Sequence, residues 1–409
     1  MVSGSGSALH LPIGVEGINC LCFSPDRTSN LLAVGTNGGR VRIYNCMTLG
    51  SAVYQRRWHK TVRCLGFLES SPNLLVSASS QSGLKIHDII SGKRTWMKLN
   101  AHGNSPISSL AVIAHNQWAT GDEAGLVKLW DGRRSDCVVE LHPDEENKFD
   151  GQFEAINDLA VGGEGREMLF GAVDDGTLAT YNIKRRRFET TSDTLGYSAR
   201  TVAVVKNNRK VVMGTEEGIV SLFNWKEFEE SSDRFPLRRL VANSRGHSKA
   251  IERIIKITED VVAVATENGE ISAVNIAPNR FRGSIGVHTV SAGGLEYGGD
   301  CLSLAVNPQA NILASGSPAS STVRLWPLKA QTFEAQSDEE EDQSPPLKRK
   351  RKNMKRRLLK PEAIEHLSGL LSGSSAHKAE VAGEDSQDED SDGNFENGSS
   401  GSEESSTDR

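Results

Sequence analysis

One hydrophobic phrase returns along the chain: an apolar triplet, then small residues, a Gly or Ser turn, and an alternating stretch that ends on an aromatic residue and Asp or Asn. Alternation with a period of two marks strands with one face buried. The clearest copies are residues 31–45 (LLAVGTNGGRVRIYN), 74–88 (LLVSASSQSGLKIHD), 118–131 (WATGDEAGLVKLWD) and 312–326 (ILASGSPASSTVRLW). Weaker copies occupy 169–182, 211–224 and 261–275. The aromatic position is held by Tyr44, His87, Trp130, Tyr181, Phe223, Val274 and Trp326, at successive spacings of 43, 43, 51, 42, 51 and 52 residues. A shorter apolar strand precedes every copy, at 18–24, 62–68, 107–113, 156–162, 201–205, 251–257 and 301–306. A more polar strand is expected after each aromatic position, which makes the unit a four-stranded antiparallel sheet.

A unit of this length, once short loop insertions are allowed, matches the WD repeat of about 40–45 residues, and seven such units close into a ring. The expected fold is therefore all-β: a seven-bladed WD40 β-propeller over residues 1–330, followed by a tail at 331–409. Small residues at Ala33, Ser77, Thr120, Gly171, Gly214, Ala265 and Ser315 fit strands crowded near a central channel. The last blade needs a partner for its outer edge, since an open edge strand invites aggregation. The stretch Ala8–Ile13 is the candidate clasp. The His-Ser-Asp-Trp polar network of such repeats looks poorly kept, because only Trp58-His59, Ala101-His102 and Gly246-His247 resemble its Gly-His dipeptide. These three histidines read as structural hydrogen-bonding groups, and their scatter gives no zinc-ligand spacing.

Composition narrows the functional classes. Cysteines at 20, 22, 46, 64, 137 and 301 form no CxxC pair, and residues 1–10 carry no long apolar run, so buried strand thiols in a reducing compartment are expected. No apolar stretch approaches the roughly 20 residues of a membrane helix. Nucleophile elbows, HExxH, P-loop and dinucleotide fingerprints are missing. Gly162-Gly163-Glu164-Gly165 lies in an expected hairpin, and Asp174-Asp175-Gly176 is placed where a tight turn favours Asp-Gly. The reading is a non-enzymatic binding scaffold without cofactor or metal.

Three segments go beyond a generic repeat: 181–189 (YNIKRRRFE), 222–238 (LFNWKEFEESSDRFPLR) and 273–289 (AVNIAPNRFRGSIGVHT). They resemble the WD-repeat-containing protein 55 family, and the resemblance runs over all seven expected blades, strongest from 101 to 290. It implies a nucleolar scaffold in ribosomal RNA production and ribosome biogenesis, with pre-ribosomal factors as partners. Plant members of that family are linked to cullin-4 ubiquitin ligases. That link has a local correlate: Trp130-Asp131-Gly132-Arg133 looks like the WDxR box of cullin-4 adaptor-binding propellers, although Ala124 stands where an acidic residue is often found. The fold needs Trp130 and Asp131 in any case. Arg133 could fork onto an adaptor's carboxylate or carbonyls, or be a solvated surface arginine.

Lys184, Arg185, Arg186 and Arg187 are expected on a short outer-edge strand, either as edge protection or a protein contact, or as a phosphate-contacting patch for RNA. No aromatic stacking platform lies beside them, so any RNA contact is expected to be indirect.

Residues 331–409 hold 19 acidic against 11 basic residues and almost no aromatics, a composition that predicts disorder. Ser337 precedes five consecutive acids and Ser344 precedes Pro345-Pro346, so both are candidate phosphorylation sites. Lys348, Arg349, Lys350, Arg351, Lys352, Lys355, Arg356 and Arg357 then place eight cations in ten residues. Such a cluster reads as a nuclear or nucleolar import address for an import receptor, with cytoplasmic residence as well. Leu359, Ile364, Leu367, Leu370 and Leu371 form a short helical stripe interrupted by Gly369.

Overall fold

The computed structural model describes residues 9–48, 50–69, 71–142, 153–237, 249–292, 295–299, 301 and 303–328. His247, Ser337, Ser344, the 348–357 cluster and the 359–371 stripe lie outside the described residues. Among those described there is no α-helix. Seven four-stranded antiparallel sheets follow one another, with one additional two-stranded hairpin. Blade one comprises Ile18–Phe23, Leu31–Thr36, Arg40–Asn45 and Tyr54–Arg57. Blade two opens with Val62–Phe67, blade three with Ile107–Ala114, blade four with Ile156–Gly162, blade five with Ala199–Val205 and blade six with Ile251–Lys256. Every expected short apolar strand is thus the first strand of its blade.

Blade seven supplies only three strands from its own sequence, Ser303–Val306, Ile312–Gly316 and Thr322–Pro327. Its fourth is Leu9–Pro12, paired antiparallel with Thr322–Leu325 in the register Leu9 to Leu325 and Pro12 to Thr322. Ile13 N extends the ladder by donating to Ser321 O at 2.8 Å. The clasp expected near the N-terminus is therefore present, with Ala8 outside the described residues. Between blades six and seven a hairpin of Thr289–Ala292 and Leu295–Gly298 is inserted, which the repeat pattern did not signal.

The core lies in the seams between blades. Seven separate clusters of buried apolar side chains each bridge one neighbouring pair, including blade seven to blade one through Leu11, Ile18, Val34 and Leu325. The repeat's aromatic positions feed these seams: Trp130, Tyr181 and Phe223 are at most 1% exposed. Burying one side chain of this size contributes about 1.5–3 kcal/mol.

Close seams require small residues where the second strand of one blade crosses the first strand of the next. Gly35, Ala78, Gly121, Ala172, Gly214, Ala265 and Gly316 share that register position. A Cβ on Gly121 would meet Ile156 Cβ at 2.8 Å, and one on Gly214 would meet Ile251 Cγ2 at 2.7 Å. The small residues singled out in the sequence are all buried, but they belong to three different register positions. Gly214 and Ala265 sit at the seam, Ser77, Thr120, Gly171 and Ser315 one residue earlier, and Ala33 two residues earlier.

The residue after the seam position closes the following turn. Asp122 Oδ1 accepts from Ala124 N and Leu126 N, at 3.0 and 2.8 Å. In blades one, five and six a threonine takes this place: Thr36 with Arg40, Thr215 with Ile219 and Thr266 with Glu270. Ser79 and Ser317 do so in blades two and seven. Blade four has Val173 there, and Asp175 caps instead by accepting from Thr177 N. Asp174-Asp175-Gly176 is accordingly a turn, with Gly176 at φ +86° and its N–H donated to Val173 O. Gly163 and Arg166 likewise close the turn after Gly162.

All six cysteines are free thiols, and Cys20, Cys22 and Cys64 lie in strands, whereas Cys46, Cys137 and Cys301 occupy turns and connections. Burial pushes the thiols of Cys46, Cys64 and Cys301 up to about 12.

Adding a methyl at the third seam, Gly121→Ala, should lower unfolding free energy by about 1–3 kcal/mol through overpacking, measured by urea denaturation. A second expectation concerns pH. Burial, assisted by Arg324 and His10, pushes His288 down from 6.5 to about 4. Above pH 6.5 it is neutral in both the folded and unfolded chain; below it the unfolded chain takes up the proton first, so stability falls as pH drops towards 4. Urea unfolding at pH 5.5 and 7.5 should show a loss of about 1 kcal/mol from this group, absent in His288→Gln.

Candidate functional site

The candidate surface is built on blade three, whose third strand, Val127–Asp131, is buried along its whole length. Trp130 anchors it. Its Nε1 donates to Thr120 Oγ1 at 2.7 Å, Thr120 Oγ1 lies 2.7 Å from His102 Nε2, and His102 Nδ1 lies 2.8 Å from Asp122 Oδ2. The consistent assignment of protons has Trp130 donating to Thr120, Thr120 to His102 and His102 to Asp122. Blade three thus keeps the complete His-Ser-Asp-Trp-type network, with Thr for Ser, where the sequence suggests that the network is poorly kept. Blade seven keeps part of it: Trp326 Nε1 donates to Ser315 Oγ at 2.9 Å, which contacts His288 Nδ1 at 2.8 Å. Val287, not Gly, precedes His288, so the sequence carries no Gly-His signal there. In blade two His59 Nε2 contacts Ser77 Oγ at 2.9 Å, and burial pushes His59 down to about 3. Thr120, Ser77 and Ser315 are 0% exposed, so these hydroxyl–imidazole pairs lie inside the blades.

Asp131 ends the anchored strand and organises the turn beyond it. Its carboxylate accepts from Arg133 N at 3.0 Å, Arg133 Nε at 2.9 Å, Arg133 Nη2 at 2.6 Å and Gln117 Nε2 at 3.4 Å. The Arg133 guanidinium holds the Asp131 carboxyl well below the usual carboxylate range. Asp131 is nearly buried, whereas the Arg133 side chain is 73% exposed. Of the three residues in the box, Trp130 is interior and Asp131 is a bracket. Arg133 alone is presented outward, pre-oriented by the fork.

Lys184, Arg185 and Arg186 lie in the turn between the third and fourth strands of blade four, and Arg187 begins the fourth strand, Arg187–Thr191. The expectation of an outer-edge strand carrying all four is therefore corrected. Asn182 Oδ1 accepts from Arg185 N and Arg186 adopts φ +54°, which closes the strand into a turn there. Glu189 pairs with Arg187 at 2.9 Å and with Arg185 at 3.7 Å. Lys184 and Arg186 instead line a hollow of about 200 Å³ with Gln117, Trp130, Val138 and Ile183. Arg133 and this basic turn thus belong to neighbouring loops at the same end of blades three and four. Arg166, from a further turn, donates to Ile113 O at 2.7 Å and to Glu69 at 2.5 Å. Gln117 and Arg166 carry no sequence motif. Only the pairing of Gln117 with Asp131 across two strands would have revealed the first.

The central channel is different in character. Its mouth, about 390 Å³, is lined by Arg63, Arg200, Arg253, Asp158 and Glu252 among others. The guanidiniums are countered: Arg63 by Glu123 at 2.9 Å, Arg200 by Glu216 at 3.3 Å and Arg253 by Asp158 at 2.9 Å. Among the described residues no cluster of His, Cys, Asp and Glu is arranged to hold a metal ion.

The WD domain, G-beta repeat family matches residues 12–45 and 93–131. The WD repeat-containing protein 55 of Homo sapiens is 34% identical over 273 residues, 66% of this chain and 66% of the relative. That of Pongo abelii gives the same figures. A WD repeat-containing protein 55 homolog from Aedes aegypti is 27% identical over 311 residues, 76% of this chain and 60% of its own length. The matched segment thus spans just under two thirds of the mammalian relatives' length.

Thr120→Val should strand the Trp130 indole N–H and the His102 imidazole together, lowering stability by about 2–3 kcal/mol in urea unfolding, while Thr120→Ser costs about 1 kcal/mol or less.

Proposed function

This chain belongs to the WD repeat-containing protein 55 family, and on that premise we propose that it is a nuclear and nucleolar propeller scaffold supporting ribosomal RNA processing and ribosome biogenesis. A WD-repeat propeller offers loop-built faces on a rigid frame, a form suited to holding proteins together. The observation that carries the nucleolar part is the run of eight cations at 348–357, which gives the propeller an import address. Pre-ribosomal proteins are the proposed partners on the faces, with an import receptor on the basic cluster. Phosphorylation at Ser337 or Ser344 would add negative charge just ahead of it.

A second reading rests on Arg133. A guanidinium that is 73% exposed yet already forked on Asp131 is pre-organised for an acceptor on a partner, at little entropic cost. The proposal in that case is a substrate receptor that docks onto a cullin-4 adaptor through the blade-three turn.

Affinity purification of the tagged full chain after nuclease treatment separates the two. Pre-ribosomal factors retained after RNA is removed support the scaffold; a cullin with its propeller adaptor, lost on Arg133→Ala, supports the receptor. Recovery of neither set sinks both readings.

A further inference from the structure

Between blades one and two lies an open groove of about 600 Å³ that no motif marks. Arg56 and Arg57 enter it from the fourth strand of blade one, Lys85 from the third strand of blade two, and Lys93 and Arg94 from the turn and strand that follow. Five of its eight lining residues are cationic and none is acidic. Among the described residues none of the five makes an ion pair, in contrast to the countered arginines of the channel mouth.

The groove is held in shape from below. Lys85 Nζ donates to Trp58 O, and Arg56 Nη1 donates to Gly92 O at 2.8 Å, tying blade one to the turn of blade two. Trp58 and His87 form its floor, stacked at 3.9 Å with their planes 14° apart. Edge protection accounts for cations on an outermost strand. It does not account for Lys85, which lies on an interior strand, is only partly exposed, and has its pKa lowered first by burial and then by Arg94. His87 is pushed down to about 4 by burial with Lys85, Arg94 and Arg56 adding to the effect. Several positive charges therefore converge on one place without a counterion, which an anion arriving there would relieve.

We propose that this groove between blades one and two binds a phosphorylated segment of a partner protein, with Arg56, Lys85 and Arg94 converging on a single phosphate. Two observations favour a phosphopeptide over a nucleic-acid strand. All five cations line this one groove, and the aromatic ring in its floor is unavailable for base stacking, Trp58 being 4% exposed and covered by His87. Exposed apolar side chains on the same elements, Ile90 at 75% two residues before Gly92 and Met97 at 38% paired across the strands with Lys85, offer contacts for the residues flanking a phosphoserine. This proposal is independent of which partner complex the protein serves.

The test is fluorescence anisotropy on the full chain, using an oriented peptide library with one central phosphoserine, its unphosphorylated counterpart and a single-stranded RNA 12-mer. The Arg56→Gln/Lys85→Gln/Arg94→Gln variant is compared with a charge-matched Arg27→Gln/Arg209→Gln/Lys226→Gln control, so that the cations outside the groove contribute equally. The groove variant should bind the phosphopeptide about tenfold or more weakly, with the control unchanged and the unphosphorylated library bound by neither. Thermal midpoints measured in parallel distinguish loss of the site from loss of the fold, and the single Arg94→Gln variant, exposed in the native state, must weaken binding in the same direction. The proposal is overturned if wild type does not bind the phosphopeptide, if groove and control variants weaken equally, or if only RNA binding falls.

Discussion

Seven times around the ring, the second strand of one blade passes the first strand of the next so closely that a side chain larger than a methyl group has nowhere to go. Odd-numbered blades meet this with glycine, at Gly35, Gly121, Gly214 and Gly316, and even-numbered ones with alanine, at Ala78, Ala172 and Ala265. Everything else about the propeller follows from that approach. Because the seams are tight, apolar side chains collect in seven interfacial clusters and not in one central core. Each blade then depends chiefly on its two neighbours, the near-additive arrangement of repeat proteins.

Inter-blade hydrogen bonds reinforce the same contacts from the polar side. Asn19 Nδ2 donates to Val62 O, Ser108 Oγ to Ile156 O and Asn157 Nδ2 to Ala199 O, so the first strands are laced to one another around the channel. Asp158 extends this lacing by accepting from Thr201 Oγ1 and Val202 N, while pairing with Arg253 of blade six. With the frame fixed in this way, the turns and outer strands are free to vary in charge. The channel mouth is neutralised pair by pair. The blade-three and blade-four turns and the groove between blades one and two leave cations available.

What was legible in the chain was whatever the period-two pattern and the repeat length enforce: seven first strands, their second and third strands, and the need for a clasp. Local signals such as Asp175-Gly176 were equally readable, since a turn depends on few neighbours. Contacts assembled across blades were not. The hairpin at 289–298 interrupts the period without a motif of its own. His102 was readable as a structural hydrogen-bonding group, but the rest of the blade-three network was not, because Thr120 stands where a serine is usual while keeping its donor and acceptor. Lys184 to Arg187 look like a strand from charge and spacing, yet the αL conformation of Arg186 and the Asn182 cap turn the chain there. The Arg133 fork is local to its turn, two residues from Asp131, whereas the five-cation groove cannot be seen without knowing which strands end side by side.

The pairing of Leu9 with Leu325 has a consequence for biosynthesis. The strand that completes the last blade leaves the ribosome before any strand of blades one to six, and its partner is made only after all of them. At about 5–20 residues per second, the interval is on the order of tens of seconds. Throughout it the emerging chain can build seams one after another, but it holds an unpaired strand at one end and an incomplete ring at the other. The polypeptide is therefore topologically unfinished until its seventh blade is translated, and it is in this window that a holding chaperone, or a second nascent copy offering its own first strand, would compete for the edge.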